Sequence, residues 1–207
     1  MLNAPAAVAV ALEAAPQKGL SERRLVYVTV TDRATGDPVP IGAWTGDEDL
    51  TMQIISATTG LEETRTYYAM PALKVGEITC TTDMTVQSAS IEMPQIADVV
   101  QALIRTHDAR LARVEVHTLY LDVDTGQQLG TLVDWVGEVD KAPIRTPPVG
   151  EEGAATFRTV SDLMSMLTRI NPRKSSYEGQ KLRQGDEWGK YASTAGNWKL
   201  PWGQKNT

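Results

Sequence analysis

One cysteine and two histidines occur in 207 residues. With Cys80 alone, no intrachain disulfide framework can form, and no multi-cysteine metal or iron–sulfur site fits within one chain. No apolar run approaches the roughly 18 residues that a membrane-spanning helix needs. Three patterns are also missing: G-x-x-x-x-G-K-[ST] for phosphate binding, H-E-x-x-H for zinc hydrolysis and G-x-S-x-G for a nucleophile elbow. The opening stretch MLNAPAAVAVALEAAPQKG is rich in Ala and Val, yet its first basic residue is Lys18. A signal peptide starts from a basic segment, so a helix or arm is expected here instead.

What is present is ordinary for a soluble globular chain, with 42 % hydrophobic and 22 % charged residues. Its charge is unevenly placed. Residues 1–95 carry 6 basic and 12 acidic side chains, residues 96–168 carry 6 and 11, and residues 169–207 carry 8 and 3. An acidic body argues against phosphate binding, which needs clustered Lys and Arg. The basic C-terminal stretch suits an acidic surface, its own or a neighbour's.

A pattern also recurs. VTVTDRATGDPVPIGAWTGDED begins at Val28 and LYLDVDTGQQLGTLVDWVGEVD at Leu119. Both read D-x-x-T-G, then Trp, then x-G-acid-x-D. The first copy is Asp32, Thr35, Gly36, Trp44, Gly46, Asp47 and Asp49; the second is Asp122, Thr125, Gly126, Trp135, Gly137, Glu138 and Asp140. The copies lie 90 residues apart, too far for a solenoid repeat and suited to a duplicated sub-domain.

RLVYVTVTD alternates, with β-branched residues, and reads as a strand. The Asp and Gly of D-x-x-T-G are turn residues, so a hairpin returning through VPIGAW is expected. LTMQIIS, TRTYYAM and EITCTTDMTVQSASIEM are further strand candidates. Pro94 is read as the first turn of one linking helix, with Ile96, Val99, Val100, Leu103 and Ile104 on its apolar face. From Ala112 the period returns to two, Val114, Val116 and Thr118 alternating with Glu115 and His117. KAPIRTPPVGEEGA is a connector, ATFRTV a last strand, and DLMSMLTR a strand or short helix. The expected fold is mainly β with one linking helix (α+β): two related small β-barrel-like sub-domains, 1–93 with an N-terminal arm and 94–170, and an extended arm, 171–207. That arm holds three of the five tryptophans, Trp188, Trp198 and Trp202. Aromatics in a basic, Gly-rich segment suggest anchors.

Candidate chemistry is thin. Asp122 begins a calcium-loop-like D-x-D-x-G, but position twelve is Val133 where a bidentate Glu is required. Asp124-Thr125-Gly126 matches an aspartic-protease triplet, yet Ala34 occupies the equivalent place in the first copy, which removes the second carboxylate. Cys80 with His107 or His117 would be a thiol and base, but Cys80 sits in a strand pattern where a buried small hydrophobe is expected. Glu151-Glu152 and Asp47, Glu48 and Asp49 read as solvated turn acids. No enzyme, metal or cofactor is expected.

LVYVTVTDRATGDPVPIGAWTGD, TRTYY, LTRINPRKSS and GDEWGKY, followed by W-x-x-P-W-G, together resemble the tail-tip hub (distal tail) protein family of long-tailed bacteriophages and gene transfer agents, over residues 25–203. The resemblance implies a structural virion protein, assembled in the bacterial cytoplasm. It implies a homotrimeric ring of two-barrel subunits, so that six similar units meet a six-fold tail tube. Partners would be the tail tube or distal tail protein and tip or fibre proteins, with DNA passing through an acidic channel without specific binding and no membrane insertion by this chain. Arg173, Lys174, Trp188, Tyr191, Trp198 and Trp202 are the expected interface. The cysteine-rich cluster of longer hubs is not expected with Cys80 alone, and the short chain leaves receptor binding and cell-wall cutting to partners. A monomeric head–tail or tail adaptor, and a hexameric distal-tail ring, are the alternatives.

Overall fold

The computed structural model describes residues 4–79, 81, 83, 85–145, 153–168, 176–195, 197 and 203. The chain divides into two compact units, Met1–Leu167 and Thr168–Thr207.

Unit 1 grows from hairpins whose turns are written locally. Strands β1 (Ser21–Asp32) and β2 (Pro38–Trp44) pair antiparallel, as do β7 (His107–Leu121) and β8 (Gln128–Lys141). At the first turn, Asp32 Oδ1 accepts from the N–H groups of Ala34 at 2.7 Å and Thr35 at 3.1 Å, and Gly36 turns at φ +80°. At the second, Asp122 Oδ1 accepts from Asp124 N–H at 3.0 Å and Thr125 N–H at 2.7 Å, and Gly126 turns at φ +71°. A third hairpin, β3 (Leu50–Ile55) with β4 (Glu62–Ala69), closes the same way. There Ser56 Oγ accepts from Thr58 and Thr59 N–H at 3.3 and 3.2 Å, and Gly60 turns at φ +71°. S-x-x-T-G in Ser56–Gly60 is therefore the same turn with Ser in place of Asp, and the motif belongs to hairpins as such. Gly36→Ala and Gly126→Ala put a Cβ into the left-handed region with open space around it. Each is expected to cost about 1 kcal/mol, read as a lowered urea midpoint at unchanged slope.

The remaining strands are β5 (Lys74–Val75), β6 (Ser88–Pro94), β9 (Ile144–Arg145) and β10 (Ala154–Ser161). All ten form one mixed sheet in the order β3-β4-β2-β1-β7-β8-β10-β6-β5, with β9 on β10. Among the described residues the β2–β4 contact alone is parallel. Its path is open: among the described residues β3 and β5 are unpaired on their outer sides. The segments 1–93 and 94–170, expected as separate sub-domains, interleave in this sheet, since β1 pairs with β7 and β6 with β10. Strand pairing across the linking helix is what joins them.

Both faces of the central strands are covered. Val26, Val28 and Val30 of β1 and Val114 and Val116 of β7 face a large core with Ile91, Met93 and Phe157. Leu25, Tyr27 and Leu119 face a second, smaller cluster with Ile54 and Tyr67 of the β3–β4 hairpin. Each fully buried aliphatic side chain contributes roughly 1.5–3 kcal/mol.

The helix α2 spans Asp98–Arg105, shorter than the sequence suggests. Pro94 is the last residue of β6, opposite Ala154, and does not open the helix. Ile96 therefore precedes the helix and is 90 % exposed, while Val100 and Leu103 are buried beneath it. Helix α1 (Ala6–Lys18) occupies the Ala-rich N-terminal stretch and buries only Val8. DLMSMLTR takes the helical alternative, as α3 (Leu163–Thr168). Unit 2 contains α4 (Tyr177–Lys181), capped by Ser176 Oγ on Gly179 N–H, and α5 (Ala192–Ala195).

Candidate functional site

The most concentrated chemistry lies where the β3–β4 turn meets β7. Alternation along β7 is real, but both faces are inside, so Glu115 and His117 are 3 % and 0 % exposed. Glu115 Oε1 accepts from Ser56 Oγ at 3.1 Å, Thr58 N–H at 3.1 Å and Thr58 Oγ1 at 2.6 Å. Oε2 accepts from Ala57 N–H at 3.1 Å and from Arg65 at 2.7 Å, and lies 3.1 Å from His117 Nε2. Arg65 is itself buried, donates to Glu63 Oε2 from Nε and a terminal nitrogen at 3.1 and 2.9 Å, and lies 4.0 Å over the Tyr27 ring.

Burial alone would raise the Glu115 pKa, but the hydrogen bonds from His117, Arg65, Thr58 and Ala57 outweigh it and hold the carboxyl far below the usual range. Arg65 is moved the other way: burial lowers its pKa, and the bonds to Glu115 and Glu63 more than restore it. Burial pushes the Tyr67 hydroxyl up to about 12, against the pull of Arg65. A carboxylate held ionised accepts hydrogen bonds and is a poor proton donor near neutrality. Ser56 and His117 both bond to Glu115 and, among the described residues, not to each other, so the base beside the hydroxyl is a carboxylate of depressed pKa, a weak proton acceptor. The arrangement is suited to fastening the β3–β4 turn onto the outer face of β7.

Sequence reasoning singled out other residues. Asp32, Thr35, Gly36, Asp122, Thr125 and Gly126 form the two turns already described. Trp44 and Trp135 do not occupy equivalent places. Trp44 stands opposite Leu25 and joins the smaller cluster, with Nε1 donating to Glu48 O at 2.8 Å. Trp135 stands opposite Val116 in the larger core. Asp134 is the extra residue, taken up as a bulge between the Val116–Trp135 and His117–Val133 pairs. A one-residue slip sends a side chain to the other face. The glycines two residues on do behave alike: a Cβ at Gly46 would meet the Trp44 ring at 2.1 Å, and one at Gly137 would meet Trp135 Nε1 at 3.0 Å.

Trp188 and Tyr191 of unit 2 are 86 % and 64 % exposed. Arg173, Lys174, Trp198 and Trp202 lie outside the described residues, as do Cys80, Glu151 and Glu152. His107 Nδ1 lies 3.4 Å from Asp32 Oδ2 at the first hairpin. Asp49 Oδ1 accepts from Ala69 N–H at 2.9 Å. Among the described residues no group of three or more His, Cys, Asp or Glu side chains is placed to hold a metal ion. Sequence reasoning missed the Arg65–Glu115 pair. The signal it offered was two ionisable residues, Glu115 and His117, inside the longest run of strand-forming side chains.

The chain matches no family model. No curated protein sequence matches it either.

Proposed function

We propose that this protein is a non-enzymatic structural component of a phage tail tip, a hub ring that joins the tail tube to distal tip or fibre proteins around the DNA channel. The motifs over residues 25–203 supply the resemblance. The observation that carries the reading is the placement of the two repeat hairpins. Strand β1 runs antiparallel to β7 with Val26 opposite Val116, and these two residues are each other's equivalents in the repeat. Two copies of one hairpin related about that pair support the reading of an internal duplication, by which three subunits would offer six such hairpins to a six-fold tube. The slipped tryptophans mark how far the copies have diverged.

The acidic body suits a channel that DNA crosses without adhering, since like charges repel. Acidic side chains are then expected on the channel wall. The basic segment 171–207, with Trp188 and Tyr191 exposed, serves as the inter-subunit or tube-contacting arm.

Light scattering of the purified protein over a range of concentrations is expected to give three times 22.6 kDa. A hexamer favours a distal-tail ring, and a monomer at every concentration favours the adaptor. Removing residues 171–207 is expected to leave the circular dichroism of the β body intact while abolishing the ring. An intact ring from the truncated chain defeats the arm assignment.

A further inference from the structure

We propose that a slot in unit 1 receives residues 198–200 of a second copy of this chain as an added β-strand, with the Trp198 indole N–H donated to His117 Nδ1. This rests on the reading of the protein as a self-associating ring.

The slot lies between two unpaired strand edges. Among the described residues, strand β3 bonds β4 on one side only. Strand β8 bonds β7 along its length but meets β10 only from Gly137 onward, leaving the edge of residues 128–136 open among the described residues. Between these edges is a cavity of about 420 Å³, walled by residues 52–55 and 130–133, with His117 in its lining and Pro5 at its margin. Strands β8, β7, β1, β2, β4 and β3 are consecutive neighbours. One further strand in the slot would join the first of them to the last and close a barrel. Unpaired edges invite such addition, because the outward-pointing backbone N–H and C=O groups there lack a strand partner.

Five properties select the occupant. The slot is four residues long on each wall, about 13 Å of strand. Trp198 and Leu200 fall on one face of an extended segment and Lys199 on the other. Pro201 follows at once, and its missing N–H ends a ladder there. Charge agrees as well: Lys199 belongs to the basic 169–207 stretch, whereas Glu62 lines the slot of an acidic body. Donor chemistry is more specific. His117 is fully buried, and its Nδ1 has no partner among the described residues. Glu115 is held ionised and can only accept, so Nε2 carries the hydrogen between them, and the Nε2–H tautomer leaves Nδ1 an acceptor. Indole N–H is a donor only, and the segment brings one to the cavity.

The test places the photoreactive residue p-benzoylphenylalanine at position 198 of the full chain and mixes unlabelled with 15N-labelled protein before irradiation. Cross-links joining position 198 of one isotope to residues 52–55 or 130–133 of the other are expected. Cross-links confined to one copy, directed to another surface, or absent from a folded sample overturn the proposal. In light scattering, Trp198→Phe keeps the ring but removes the N–H and is expected to weaken association by about tenfold. Trp198→Ala is expected to weaken it by roughly 30-fold or more. Unchanged association in Trp198→Ala also overturns it. A wild-type ring of the expected mass with cross-links elsewhere removes the slot and leaves the hub reading standing; a wild-type chain that stays monomeric at every concentration removes the slot as a self-association site and shifts the function toward the adaptor.

Discussion

Arg65→Leu is expected to destabilise the protein by about 3–5 kcal/mol, the cost of leaving one buried charge without its partner. Arg65 is 4 % exposed and its guanidinium bonds Glu115 and Glu63 together, so its loss strands an ionised Glu115 inside the protein. Double substitution, Arg65→Leu with Glu115→Leu, is expected to recover only part of the loss, because it removes the stranded charge but leaves the Ser56, Ala57 and Thr58 donors and His117 without their acceptor. The pH dependence has a definite sign. The folded pKa of Glu115 is depressed, so its contribution is complete above the unfolded value of about 4.3 and fades as pH falls through the folded one. In Arg65→Leu a major hydrogen bond to the carboxylate is gone and burial raises its pKa, so acid no longer penalises that variant to the same degree. Urea midpoints measured between pH 7 and pH 3.5 should therefore converge. Midpoints that keep a constant gap at all pH values would show that the pair is not what holds the turn.

Gly137→Ala is expected to cost roughly 3 kcal/mol, and on the order of 6–12 °C in melting temperature for a chain of this size. A Cβ there would stand 2.2 Å from Val160 O. That oxygen belongs to β10, which is held in register by the Val160–Glu138 and Ser161–Gly137 pairs. No side chain can swing aside to make room, so β8 and β10 must part. Trp135 packs two residues away in the main core and supplies a fluorescence probe of that parting. Gly126→Ala, expected to cost about 1 kcal/mol, is the contrast: it changes a backbone preference in open space. Equal effects from the two substitutions would remove the steric account.

The hairpins were legible because their cause is local. An Asp that caps its own turn and a Gly that takes positive φ fall within five residues, and alternation on either side announces the strands. The third turn, at Ser56–Gly60, has the same local cause, with Ser in place of Asp. Legibility failed where the determining contact lies far along the chain. Pro94 looked like a helix start because it is compatible with one, but pairing of β6 with β10 kept it in the sheet. Glu115 and His117 looked like the polar half of an alternating strand, and only the β3–β4 hairpin folding over that face buries them.

By itself, then, the sequence determined the mainly β character, the turn geometry at Asp32 and Asp122, the apolar stripe of α2 and the change of charge near residue 169. These depend on neighbours within a few residues, where propensity and spacing decide. Only the tertiary structure decided that β4 joins β2 in parallel, that the two chain halves share one sheet, and that one inserted residue at Asp134 turns Trp135 away from the place Trp44 occupies. Each of those depends on which distant strand supplies the hydrogen bonds and which face is covered, and a strand's own side chains do not specify its partner.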